Sequence, residues 1–394
     1  MTELSFELTN EQRRCFGLVP VEKHWECFKL KDMFLYFDGD IICKKISIYN
    51  DSYLEQELNE KTSDNRTVLL PKTAKGKPKK LNYTATQSFS PFGVYFYFSK
   101  QRLRIANYTT QTTFYSEEFD NEKNYEDLQM WIKQWISEST EADLQEVEAF
   151  RTAKRMHCKF KEGDFFTFKI GRRNWGVGRI LLDVAKYRKT PEFEKEKNYG
   201  LKNLMGRALI VKIYHKISDT HDFDIDELTD CLALPSQAIM DNIFYYGECK
   251  IIGHKALTTG DHDMLISYGQ SISAKDPHTV YLQYGLIYKE KGISLFNKYL
   301  LRESKNTMSG FDVVNPYRKE GIGFGLDIRN LQQCIEAKSN QPYWENSLGN
   351  HAWDLRNPSN IDIKREIFQA FGLDADKSYE ENLRSTERTT NDLA

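Results

Sequence analysis

Between Phe160 and Val184 the chain reads FKEGDFFTFKIGRRNWGVGRILLDV, two apolar runs parted by a short polar break. Aromatic and β-branched residues from Phe165 to Ile170 predict a strand. Gly171-Arg172-Arg173-Asn174 carries turn chemistry, because Gly and Asn tolerate the positive φ of a tight reversal. Trp175 to Leu182 predicts the return strand, thinned by Gly176 and Gly178. Glycine inside a strand marks a bulge or a close approach by another part of the chain, so a strongly bent hairpin is expected. Similar strand patterns occur at Met33–Phe37 and Ile41–Tyr49 around Asp38-Gly39, at Val68–Leu70, and at Gly93–Phe98 with Leu103–Tyr108. Downstream they recur at Arg207–Ile217, Ile251–Leu257 and Val280–Tyr288.

Elsewhere a helical period replaces the alternation. Leu128, Trp131, Ile132, Trp135 and Ile136 fall on one helical face, which is assigned to core packing rather than to an oligomer interface. Thr140 opens a second helix to about Arg155, with Leu144, Val147 and Phe150 on one side. A short helix over Asn10–Phe16 follows a Thr9 cap. Near the C-terminus, Ile328, Leu331 and Ile335 predict a helix over Asp327–Lys338, entered through Gly321, Gly323 and Gly325. Another is expected over Asp362–Phe371, closed by Gly372. Lys186–Asn203 shows no period and reads as a charged loop, and the polar chain beyond Lys377 is expected to fray.

These elements predict an α+β protein. A β-rich domain spans 1–122, followed by a helical connector at 123–157. A second β-rich domain at 158–300 is built on a bent, SH3-like or barrel-like antiparallel sheet. A helical extension at 301–377 and a frayed tail at 378–394 complete the expectation. A length of 394 residues suits two or three domains.

Composition sharpens the picture modestly. The 22 Tyr and 24 Phe favour strands and supply packed cores. A net charge of −2 gives no global pull towards nucleic acid or an anionic membrane. The N-terminal MTELSFELTNEQRR is acidic and polar, unlike a signal or transit peptide, and no apolar run approaches the length of a membrane span. The seven cysteines are scattered without a CxxC pair, which points to reduced, partly buried thiols and a cytoplasmic setting.

Candidate chemistry is sparse. Gly176-Val177-Gly178 lacks the third glycine of a dinucleotide fingerprint, since Leu181 stands there and the segment reads as strand. His221, Asp222, Asp224 and Asp226 begin like a calcium loop, but Glu227 and Ala233 occupy positions that need Gly and a carboxylate. Asp261-His262-Asp263 with His254 suggests a metal or acid–base site, weighed against ordinary loop polarity and read as the latter. Lys72, Lys75, Lys77, Lys79 and Lys80, with the aromatics Tyr95–Phe98, raise single-stranded nucleic-acid binding as an alternative. The continuous aromatics read instead as a buried strand. No GxSxG, HExxH or P-loop occurs, and no catalytic, metal-ligating or cofactor-binding residue is assigned.

GDFFTFKIGRRNWGVGRIL at Gly163–Leu181, the strand at Arg207–Ile217 and GECKIIGHKAL at Gly247–Leu257 together resemble the immunity protein 26 family of bacterial polymorphic toxin systems. The resemblance covers roughly 160–290 and rests on structural glycines and apolar residues. It implies a cytoplasmic, non-enzymatic protein that binds and neutralises a cognate toxin by occluding its active site, with a nuclease as the toxin class considered. Some members carry a hydrolase-like name, which leaves a metal-dependent hydrolase as the enzymatic alternative. Under this reading the acidic stretch Asp219–Asp230, with Asp222, Asp224, Asp226 and Glu227, faces the toxin together with Trp175, Tyr245 and Tyr246.

Overall fold

A computed structural model describes residues 6–71, 73, 75–300, 315–326, 331–345 and 351–391. The chain divides into two compact units, Met1–His157 with Tyr246–Glu248, and Cys158–Tyr245 with Cys249–Ala394. Each mixes helices with antiparallel sheet, as the α+β expectation requires.

The first unit carries β1 (Glu26–Leu30), β2 (Met33–Asp38), β3 (Ile41–Tyr49), β4 (Ser52–Ser63), β5 (Val68–Leu69), β6 (Lys79–Lys80), β7 (Phe92–Ser99), β8 (Arg102–Asn107) and β9 (Thr112–Glu118). They pair in the order β1-β2-β3-β4-β7-β8-β9, with β5 and β6 branching from β4. The helices are α1 (Asn10–Cys15), α2 (Tyr83–Thr86), α3 (Tyr125–Ser137) and α4 (Glu141–Thr152). Asn124 and Thr140 open α3 and α4 with reciprocal capping boxes. The α3 stripe is core, as expected: Leu128, Ile132 and Trp135 join Phe16, Phe96, Phe98 and Leu103. Strand β7 alternates where a continuously buried strand was expected. Phe96 and Phe98 are buried, while Tyr95 and Tyr97 stand half-buried on the opposite face. The lysines sit apart from them: Lys75, Lys77 and Lys80 are exposed on or beside the β5–β6 branch, and Lys72 lies outside the described residues.

The second unit opens with the anticipated hairpin, β10 (Asp164–Ile170) and β11 (Asn174–Asp183). Three short helices follow, α5 (Val184–Tyr187), α6 (Pro191–Glu194) and α7 (Tyr199–Lys202), in a segment expected to be irregular. Asp183 and Thr190 cap the first two, a local signal too short to show as a period. Next come β12 (Ala208–Ser218), α8 (Ile225–Leu228), β13 (Ala233–Met240), α9 (Asn242–Tyr245) and β14 (Lys250–His254). The sheet order is β13-β12-β11-β10-β14, and register shifts in the β11–β12, β12–β13 and β10–β14 ladders mark its bends. Pro235 is tolerated because β13 ends this path.

A second, three-stranded sheet holds β15 (Ile266–Gln270), β16 (Thr279–Tyr284) and β17 (Ile287–Gly292). The single strand expected at Val280–Tyr288 is therefore a hairpin, turned at Gly285, whose φ is +54°. The C-terminal helices are α10 (Leu331–Glu336), α11 (Gln341–Glu345), α12 (Ile361–Ala370) and α13 (Tyr379–Asn391). The expected start of α10 at Asp327 lies outside the described residues. Where a frayed tail was expected beyond Lys377, Tyr379–Asn391 is helical. Tyr379 is buried in the core around Tyr284, and the Asn382 amide accepts from Asp374 N and donates back to Asp374 O.

Candidate functional site

The acidic segment is anchored from beneath by its apolar residues. Phe223, Ile225 and Leu228 pack with Phe165, Val177 and Tyr214 under the sheet, which turns the intervening carboxylates outwards. Asp224 caps α8 by accepting from Asp226 N at 2.8 Å. Asp226 pairs with Lys255 at 2.6 Å and Glu227 with Lys216 at 3.0 Å. Among the described residues no salt bridge reaches Asp222, Asp224 or Asp230. Trp175 joins this segment, its ring centroid 3.6 Å from that of His221. Tyr245 ends α9 and is exposed, whereas Tyr246 belongs with the first unit, where the Arg155 guanidinium lies 4.7 Å over its ring. The consecutive tyrosines thus fall in different units.

The hairpin beside the segment explains its own glycines. Phe166 pairs with Gly178 and Phe168 with Gly176. A Cβ on Gly176 would stand 2.5 Å from Phe168 Cζ, and one on Gly178 would stand 2.5 Å from Phe166 Cζ. The rings of β10 therefore lie across the bare backbone of β11. The next residue, Arg179, is fully buried beneath the sheet, 4.6 Å over the Phe165 ring. Its guanidinium donates to Asp261 Oδ1 at 2.6 Å, to Lys255 O at 3.0 Å and to Ala256 O at 3.2 Å. Nothing in the local sequence pattern signals these partners, which lie more than seventy residues downstream.

Residues 161–276 match the family model of immunity protein 26. That span contains the hairpin, the acidic segment and the loop that Arg179 holds. No curated protein and no solved structure matches the chain. The immunity protein 26 match suggests an immunity protein of a polymorphic toxin system, with a toxin as partner and a non-enzymatic role. Among the described residues no helix is long and apolar enough to cross a membrane.

Within the matched span, Asp261 departs from the loop polarity expected of Asp261-His262-Asp263, while His262 and Asp263 stay partly exposed. Asp261 is buried, and its Oδ2 accepts from Thr258 N and Thr258 Oγ1, both at 2.7 Å. Lys212 adds a bond from Nζ to Asp261 O at 3.2 Å. Burial alone would raise the Asp261 carboxyl, but Thr258, Arg179 and Lys212 outweigh it and hold the group below its ordinary value. Burial pulls the Lys212 ammonium downwards despite Asp261. His262 faces Glu380 at 2.9 Å, and His254 faces Asp164 at 2.8 Å. Asp263 accepts from Ser236 N at 2.6 Å. Among the described residues no group of three or more His, Cys, Asp or Glu side chains is placed to hold a metal ion.

Two hollows flank α8. On one side is a shallow groove of about 490 Å³, lined by His221, Asp222, Asp224 and the β14 residues Lys250, Ile251 and Ile252. On the other is a larger cleft of about 800 Å³, between residues 229–235 and 258–263. Sequence reasoning missed this cleft because its walls come from five separated segments.

Proposed function

We propose that the second unit binds and neutralises a cognate protein toxin in the cytoplasm by covering its active site. The observation that carries this reading is the immunity protein 26 match over 161–276, a span whose surface bears carboxylates with no cation of their own. Asp222 and Asp224 would meet the partner first, with Trp175 and His221 as the adjacent aromatic contact. Tyr245 is a further exposed contact, and Tyr246 is the least supported because it groups with the other unit. A toxin acting on nucleic acid has a basic substrate cleft, to which such a surface is complementary in charge. Asp226 and Glu227 contribute less in this reading, because each must first give up a lysine.

The test is co-expression with the toxin gene encoded beside this one. Rescue of growth together with a co-purifying complex is the expected result. Reversing both Asp222 and Asp224 to Lys should weaken toxin binding by about tenfold or more, mainly through a slower association rate that also loses its salt dependence. Neutralising Asp226 and Glu227 should have the smaller effect. Unchanged affinity on charge reversal would remove this surface from the interface. Failure of every neighbouring toxin candidate to bind would remove the function.

A further inference from the structure

We propose that the cleft between residues 229–235 and 258–263 seats an arginine side chain of the partner protein. The identity of that partner rests on the toxin-binding reading; the chemistry of the seat does not. The cleft, of about 800 Å³, is of a size that buries a side chain or a small ligand. Its cations are already engaged. The Arg356 guanidinium donates through Nη1 to Ser236 Oγ at 2.9 Å, through Nη2 to Ser236 O and Asp354 Oδ2 at 2.9 Å, and through Nε to Asp354 Oδ1 at 3.1 Å. Lys212 and Arg179 share Asp261. Side-chain exposure is only 11% for Lys212 and 9% for Arg356, so neither presents much charge to an incoming group.

The carboxylates are placed differently. Asp263 keeps 42% of its side chain exposed, and its contacts to Arg356 are long, at 3.4 and 3.5 Å. Asp230, from another lining segment, is exposed and has no salt bridge among the described residues. What an entering group meets is therefore two carboxylates from separate loops, Asp263 with one oxygen held by Ser236 N, and the Trp344 indole on the same lining. A planar guanidinium can donate in pairs to carboxylates and stack on an indole, which a compact ammonium does less well. Asp230 also continues the acidic segment, so a basic surface resting on Asp222 and Asp224 could extend a side chain around α8 into the cleft.

The probe is N-acetyl-arginine methylamide, titrated into the isotope-labelled full chain and followed by backbone amide and indole NMR signals. Saturable shifts at Trp344, Asp230 and Thr259 are expected, with much smaller ones from the isosteric citrulline compound. Asp230→Asn should weaken binding about threefold, as loss of one exposed charge contact would, and Asp263→Asn similarly. The exposed Glu194→Gln, on α6, serves as the control and should leave it unchanged. Equal shifts from arginine and citrulline compounds, or unchanged affinity in Asp230→Asn, would overturn the seat. Agmatine binding tenfold more tightly than the blocked arginine would point to a free guanidine and overturn the protein partner. Because no toxin is present, failure here leaves toxin neutralisation standing. Saturable arginine binding without any toxin complex would uphold the seat alone.

Discussion

Gly178 shows how far a single residue can be read before its surroundings are known. Two glycines in an apolar run signalled a close approach, and the structure supplies what approaches: the Phe166 ring and the Lys212 carbonyl, 2.5 and 2.8 Å from a Cβ placed there. The ring could swing aside, but the carbonyl belongs to the neighbouring strand and moves only with the sheet. Gly178→Ala should therefore destabilise the protein by about 1–3 kcal/mol, the usual range for overpacking a close-packed interior. Gly321→Ala, where nothing lies within 4 Å, is the control and should shift the denaturation midpoint negligibly. Urea unfolding followed by circular dichroism measures both, and equal midpoints would contradict the close-packing account. Arg179 was legible in a weaker sense. It belongs to the motif that carries the resemblance, yet its partner Asp261 could not be named from spacing. Trp175 beside His221 was likewise expected near the acidic segment, while Tyr246 was drawn away by packing that a linear pattern does not encode.

At the scale of elements, alternation found strands such as β2, β3, β7 and β12, and missed both short apolar ones such as β15 and one whose core face carries a charge. The last is β4: SYLEQELNEKTS carries Glu55 inwards, fully buried, between β3 and β7. Glu55 accepts from Arg13 Nε at 2.8 Å and Tyr53 OH at 2.5 Å, and also bonds Lys44 Nζ. Burial would raise its carboxyl, but Lys44 and Arg13 together keep it below the ordinary range. Such a residue reads as polar surface until its two cations are brought from α1 and β3. Removing it alone leaves Lys44 buried without a salt-bridge partner and Arg13 with only Glu7, so Glu55→Gln should cost about 3–5 kcal/mol. Pairing Glu55→Leu with Lys44→Met should cost less than the sum of the two single changes, because only then is the mismatch removed with the charge. Chemical denaturation of the four variants closes the cycle. Additive losses would show that Glu55 and Lys44 do not stabilise one another. The helices were easier, since caps at Asn124 and Thr140 and a clean apolar stripe agree locally and in three dimensions.

For the whole molecule, two units with separate cores predict unfolding in more than one step, with a pH response that tells the steps apart. The second unit contains His351, whose ring packs against Tyr343 and whose pKa burial lowers from 6.5 to about 4. The folded imidazole stays neutral where the unfolded one takes up a proton. That contribution is whole above pH 6.5 and is lost as the pH falls towards 4. Asp241 and Glu196, raised by burial in the same unit, act in the opposite sense, so the histidine term must be isolated by substitution. In the first unit Glu55, held low, contributes stability above its unfolded value near 4.5 that fades only below it. Glu57 and Glu248, raised by burial, favour that unit slightly as the pH falls towards 4.5. Between pH 6.5 and 4.5 the step belonging to the second unit should therefore weaken relative to the other, and His351→Gln should flatten its pH slope. Differential scanning calorimetry across that interval, on the native chain and the variant, measures both steps. A single transition, or a slope that His351→Gln leaves intact, would show that the two cores do not melt separately or that another group governs the response.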